Sequence, residues 1–198
     1  MAGHRIQTYF RETGLLKRLP SLMLSAAAEP AESSNGGGDL GPSPANVAWS
    51  NERETNLCML FSLIRILVVP DNPNTSNNQQ VFHDLATIQA LAAFAFHVET
   101  PPLVRADALY TIGDLMRDFG AGQDIFASTV MEDADLQAPR SAVQATVELA
   151  VQHPARSWQD WRLRSGAMYS VQVHPFSSLF NSFFLFFFLR VSCCKGCG

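Results

Sequence analysis

Cys193, Cys194 and Cys197 make a CC-x-x-C run, the densest group of metal-capable side chains in the sequence. A structural zinc site takes four nitrogen or sulfur ligands, and only the remote His174 or Cys58 is left to complete this one. The run is therefore not assigned as a metal site. The remaining chemistry-bearing residues are dispersed. His4, His83, His97, His153 and His174 form no HExxH pair, and there is no Gly-x-Ser-x-Gly elbow and no cysteine with a placed histidine partner. His83 beside Asp84 reads as a solvated pair on a helix face. Asp107, Asp114 and Asp118 recur with Thr111 at helical spacing and read as a charged exterior balanced by Arg105 and Arg117. Cys58 reads as a small core residue. Gly36 to Gly38 lack the Lys and Ser or Thr that a phosphate loop needs before its helix, and read as linker. Asn74-Thr75-Ser76 has the form of a glycosylation acceptor but sits among turn formers in a chain with no export signal. No catalytic, cofactor-binding or metal-ligating residue is assigned, no cofactor is expected, and an enzyme is not the expected reading.

The segments that would carry these residues have helical periodicity. The longest strongly apolar one before the C-terminal segment is Asn56 to Pro73. Leu57, Leu60, Phe61, Ile64, Leu67 and Val68 form one stripe, and Met59, Leu63 and Ile66 a second, leaving Thr55, Cys58, Ser62 and Arg65 as a narrow polar seam. A helix this apolar is expected to be packed on most sides and to organise the rest. Asn51 is placed as its cap, with Glu54 reaching back, and Pro70 as its end. Upstream, Ile6 to Leu24 reads as a helix interrupted at Gly14 and Pro20, followed by a flexible loop over about residues 26–48 rich in Ala, Pro, Ser and Gly. Downstream, Val81 to Phe96 reads as one helix with Val81, Leu85, Ile88, Ala92 and Ala95 inward. Leu103 to Phe119 reads as another, with Gly113 at a close helix contact and Gly120 in the left-handed position past its end. Ala121 to Leu136 reads as a polar loop. A short helix follows Pro139, and Ser157 with Asp160 opens a last helix, Trp158 to Gln172. Helix pairs joined by polar loops, without strand-like alternation, give the expected fold class: all-α, an armadillo-like α-solenoid.

Composition limits the partners. A chain of 198 residues with 47% apolar content supports one moderate core. The net charge of −4 provides no basic stripe, so nucleic acid is not an expected partner. The N-terminus lacks the apolar core of a signal peptide, and the four cysteines do not suggest a secreted disulfide framework, so a cytoplasmic location is expected.

Asn56-Leu57 through Leu60, Leu63-Ile64-Arg65-Ile66-Leu67-Val68, Pro70 and Asn72-Pro73 together resemble the head domain of the general vesicular transport factor family, the Uso-type tethers acting between endoplasmic reticulum and Golgi. Phe10-Arg11-Glu12, Gln123-Asp124, Phe126-Ala127-Ser128, Leu163-Arg164, Ala167, Tyr169 and Gln172 are similar to that family in the same order, so the resemblance runs from about Ile6 to Gln172. It implies an armadillo-like head, residues 1–172 here corresponding to its N-terminal part. It also implies a role in docking vesicles before membrane fusion, peripheral association with Golgi membranes, and Rab GTPases, golgins, SNAREs and other tethering complexes as partners. Homodimerisation in the family depends on a coiled coil, and these residues contain no heptad repeat. The alternative is a generic armadillo-type cytosolic scaffold with unrelated protein partners. Residues 173–198 depart from the resemblance: Phe176 to Leu189 is Phe-dominated, includes Asn181, and is shorter than the roughly 18–20 residues a spanning helix requires. This segment reads as a translated intron or gene-model error in preference to an anchor.

Overall fold

The computed structural model describes residues 2–28, 49–131, 139–152 and 154–173. The loop expected over 26–48 lies outside the described residues except for Ala26 to Ala28, and the Phe-rich segment lies outside them from His174 onward. The described residues form α1 (Ala2–Glu12), α2 (Leu15–Ala28), α3 (Asn51–Leu67), α4 (Thr75–Asp84), α5 (Thr87–Phe96), α6 (Pro102–Met116), α7 (Gly120–Ser128), α8 (Ala142–Gln152) and α9 (Trp158–Gln172). One two-residue antiparallel ladder, β1 (Val130–Met131) with β2 (Arg140–Ser141), joins α7 to α8. The all-α array expected from the sequence is thus present. Its helices group in threes, each group ending in a long helix: α3, α6 and α9, with α6 packed against both others.

The boundaries follow local chemistry. Gly14 takes φ +70 and turns α1 into α2, whereas Pro20 lies within α2 without ending it. The cap of α3 is Ser50, one residue earlier than expected; its hydroxyl accepts from the Arg53 N–H at 3.1 Å. Beyond α3 the chain turns through Asp71, at φ 64, and is helical again from Thr75, so the expected loop ends sooner. Asn78 ties the two helices by donating to the Leu67 carbonyl at 2.8 Å. The single helix expected over Val81 to Phe96 is two, because Ala86 adopts a left-handed φ of 53 that breaks the ladder. As expected, Ser157 and Asp160 form a reciprocal capping box at the start of α9.

Two expectations about environment are overturned. The second apolar stripe of α3 is only partly covered: Leu63 packs against the core, but Met59 is 65% exposed and Ile66 43%, so α3 is fully buried along one face alone, through Leu57, Phe61, Ile64 and Leu67. The helix packed on most sides is α6, in which 11 of 15 residues are buried, including Asp107, Thr111 and Asp114 from the supposed solvent line. Asp118 alone of the three aspartates is exposed, and it, rather than Gly120, takes the left-handed position after α6. Residues 121–128, expected as loop, belong to α7. Gly122 there permits close packing, since a Cβ would lie 2.8 Å from the Phe119 ring and 3.2 Å from Ile88.

Small residues bring α6 and α9 together. A Cβ on Gly113 would lie 2.7 Å from the Tyr169 ring, as expected of a close helix contact, and one on Gly166 would lie 2.9 Å from the Ala106 carbonyl oxygen. The second contact is with backbone and cannot swing away. Gly166→Ala is therefore expected to destabilise the chain by about 1–3 kcal/mol through overpacking, lowering the melting temperature by roughly 2–4 °C per kcal/mol. Gly120→Ala, where nothing lies within 4 Å, is the control. Equal melting of the two variants would refute the close-approach argument.

Candidate protein-interaction groove

The ends of α3, α6 and α9 hold a set of charged and aromatic side chains that begins with two buried carboxylates. Asp107 and Asp114 are seven residues, two helical turns, apart on α6 and so share a face. Burying carboxylates inside a helical layer is costly unless each is paired. Asp114 accepts from Arg65 Nε of α3 at 2.8 Å, from Arg117 at the end of α6, and from the Tyr169 hydroxyl of α9. Asp107 accepts from Arg162 of α9. The carboxylates lie beneath, with side chains 9–11% exposed, and the guanidiniums lie above, at 29–36%.

Aromatic rings fill the spaces between the arginines. Arg65 lies 5.4 Å from the Tyr110 ring centre, Arg117 lies 5.6 Å from that of Tyr169, and Arg162 lies 5.5 Å from that of Trp158. Tyr110 and Tyr169 are tilted against each other with centres 5.5 Å apart. Two adjoining open depressions result. One, of about 540 Å³, is lined by Arg65, Tyr110, Trp158, Trp161, Arg162 and Ser165. The other, of about 500 Å³, shares Arg65 and Tyr110 and continues past Arg117 and Tyr169 to the apolar edge of Ile66, Val69 and Pro70. Trp158 and Trp161 stand 66% and 58% exposed at one end.

The residues singled out in the sequence fall elsewhere or take other roles. Asp107 and Asp114 pair with Arg162, Arg65 and Arg117 rather than forming an exterior, while Arg105 donates to the Ala95 carbonyl at 2.9 Å. His83 lies 3.4 Å from Asp84 and packs edge-on against Phe119; hydrogen bonds from Gln80 and His83 lower the pKa of Asp84. His97 accepts from the Glu99 N–H at the end of α5. His153, His174 and the three C-terminal cysteines lie outside the described residues, and of the His4 side chain nothing is described. Among the described residues no three His, Cys, Asp or Glu side chains are grouped to hold a metal ion. The groove residues Tyr110, Trp161 and Arg162 gave little warning in the sequence. The one usable signal is Trp158 and Trp161, a helical turn apart at the start of α9, the first within the capping box and the second directly after it.

Cys58 is half-buried beside Asp107, as a small interior residue. Burial, and then the charge and hydrogen bonding of Asp107, push its thiol from the ordinary 9.0 up to about 12. Folding thus favours the neutral thiol: that contribution to stability is complete below pH 9.0 and is lost as the pH rises through about 12. Since the thiolate is the reactive form, iodoacetamide at mildly alkaline pH is expected to leave Cys58 unmodified in the folded chain and to label it after unfolding in guanidinium. Peptide mapping separates it from the other cysteines, and rapid labelling of the native chain would contradict this.

Removing a carboxylate tests the pairing itself. Asp114→Asn is expected to cost about 1.5–3 kcal/mol by leaving Arg65 and Arg117 without their shared partner. Asp118→Asn, at the exposed position, is expected to stay within about 0.5 kcal/mol of the parent. Chemical denaturation of both variants measures the difference, and similar losses would mean that the buried carboxylate is not structurally important.

No protein-family model matches the chain. In sequence it is 26% identical over 129 residues to "General vesicular transport factor p115" of Bos taurus and, equally, of Homo sapiens. The matched region is 64% of this chain and 13% of those proteins. In fold it is similar to the crystal structures of Uso1-2 (TM-score 0.67, 20% identity) and Uso1-1 (TM-score 0.65, 22% identity), covering 96% of this chain and 27% of each of those. The sequence match bears out the resemblance to the general vesicular transport factors, and the structural match bears out the armadillo-like solenoid.

Proposed function

We propose that this chain is the front part of the head of a vesicle-tethering factor of the general vesicular transport factor type. In this reading it is a protein-interaction module that docks vesicles before membrane fusion in endoplasmic reticulum-to-Golgi and intra-Golgi transport. The observation that carries the proposal is the 129-residue sequence match to general vesicular transport factor p115. It is supported by a fold like that of the Uso1 structures. A helical array of this kind presents an extended surface to other proteins and needs no reacting groups to function. In this reading residues 1–172 are the head portion, and the sequence of residues 173–198 is atypical of it.

The partners proposed are proteins: a Rab GTPase, golgins, SNAREs and other tethering complexes, met on the cytoplasmic side of Golgi membranes. Among the described residues no helix is long and apolar enough to cross a membrane; attachment in this reading runs through protein contacts. The test is to mix the tagged chain with cytosol and Golgi-enriched membranes, float the membranes, and identify what is recovered with the chain. Flotation with the membranes together with a Rab protein, a golgin or a SNARE is the expected result. Reproducible recovery of an unrelated cytosolic partner, without membrane association, would replace this reading with that of a generic armadillo-type scaffold.

A further inference from the structure

Building on this interaction-module reading, we propose that the groove across α3, α6 and α9 is a docking site for a short acidic segment of a partner protein carrying large apolar side chains between its carboxylates. Three features of the groove select that chemistry. First, the charges are layered. Asp107 and Asp114 lie at the bottom, whereas Arg65, Arg117 and Arg162 face outward, so a molecule in the groove meets guanidiniums before carboxylates.

Second, the arginines keep donors in reserve. A guanidinium carries five N–H groups in a planar fork suited to carboxylates. Arg65 binds Asp114 through Nε alone, and Arg117 and Arg162 each bind an aspartate through one terminal nitrogen. Third, the intervening surface is aromatic and apolar: Tyr110, Trp158 and Trp161 in one depression, and Tyr169, Ile66 and Val69 in the other. Exposed tryptophan with half-buried tyrosine and arginine around a pocket is the composition of interface hot spots.

Length and charge narrow the occupant further. Neighbouring packed helices are about 8–10 Å apart, so a segment crossing three of them spans roughly 16–20 Å. An extended peptide covers that distance in about five or six residues. The groove's three arginines and two aspartates leave one net positive charge. That suits a segment with a few carboxylates and apolar anchors, and is too little for a nucleic acid strand with a phosphate at every nucleotide. The open depressions likewise fit a protruding chain better than a flat array of lipid headgroups.

Random dodecapeptides displayed on phage, selected on the full chain, test the proposal. Winners are then titrated into the parent, into Ser165→Glu, which adds a carboxylate to the groove lining, and into Trp161→Ala, which removes an exposed ring. Far-ultraviolet dichroism checks that both variants keep their helices. Enriched peptides are expected to carry acidic residues interleaved with aromatic or large aliphatic ones. Their binding should weaken about tenfold or more in either variant and fall as salt screens the charges. Failure to enrich any peptide, enrichment of basic or uncharged peptides, or binding by both variants as tight as by the parent would overturn the proposal. So would displacement of the peptides by polyuridylate RNA or by phosphatidylserine vesicles at lower concentration than by free peptide. Groove-dependent peptide binding by a chain that does not float with Golgi membranes would refute the tethering reading alone, whereas undiminished flotation of both variants would refute the groove's part in it.

Discussion

Two carboxylates buried on one helix govern this structure. An unpaired charge inside a helical layer is tolerated poorly, and the cost falls only when a counter-charge is brought to a fixed place. On α6, Asp107 and Asp114 therefore specify where α3 and α9 must lie, because Arg65 comes from one and Arg162 and Tyr169 from the other. The apolar contacts of α6, through Leu109, Ile112 and Met116, supply most of the driving force but little directional information. The ion pairs supply the register.

Close approach and charge pairing reinforce each other. Gly113 lies one residue before Asp114 on α6 and faces Tyr169, whose hydroxyl donates to Asp114. The space that the absent Cβ leaves is what lets the ring lie flat enough to reach the carboxylate. Gly166 does the equivalent on α9, four residues from Arg162 and against the Ala106 carbonyl, one residue before Asp107. Ser170 completes the seam by donating to the Leu109 carbonyl at 2.6 Å. At the far end of α6, Gln79 of α4 donates to the carbonyls of Asp114, Leu115 and Arg117, satisfying the backbone groups that a helix end leaves open.

Much of the helical array was legible because it is written in local signals. The Ser157–Asp160 box, the turn at Gly14 and the 3.6-residue stripe of Leu57, Phe61 and Ile64 each act within a few residues. The failures have a common physical origin in long-range pairing. Aspartates at helical spacing look solvated until arginines 49 and 55 residues away in sequence are placed against them. Gly120 and Gly122 look like loop until Phe119 and Ile88 show that the second is a packing position within α7. The break at Ala86 has no glycine or proline to announce it. It arises where α4, tied by Gln79 to the end of α6, must hand over to α5, which runs against the body of α6. The groove was illegible for the same reason: its residues come from three helices more than 90 residues apart in sequence at the extremes, and periodicity within one helix does not say which faces converge.

The arrangement that holds the helices together also fixes the groove. Arg65, Arg117 and Arg162 are long side chains that would otherwise lose considerable rotamer freedom on meeting a partner. Their pairing with Asp107 and Asp114, and their positions near Tyr110, Tyr169 and Trp158, incur that loss during folding. A segment arriving at the groove therefore meets preorganised donors, which strengthens binding without adding contacts. The groove is nevertheless only three helices wide, so a single short segment would bind reversibly. Where several such sites are engaged at once, modest affinities combine through effective concentration into firm attachment, and each can still be released in turn. A surface built on buried ion pairs suits that use, because its shape is set by the fold and its outward charge by what the fold leaves unpaired.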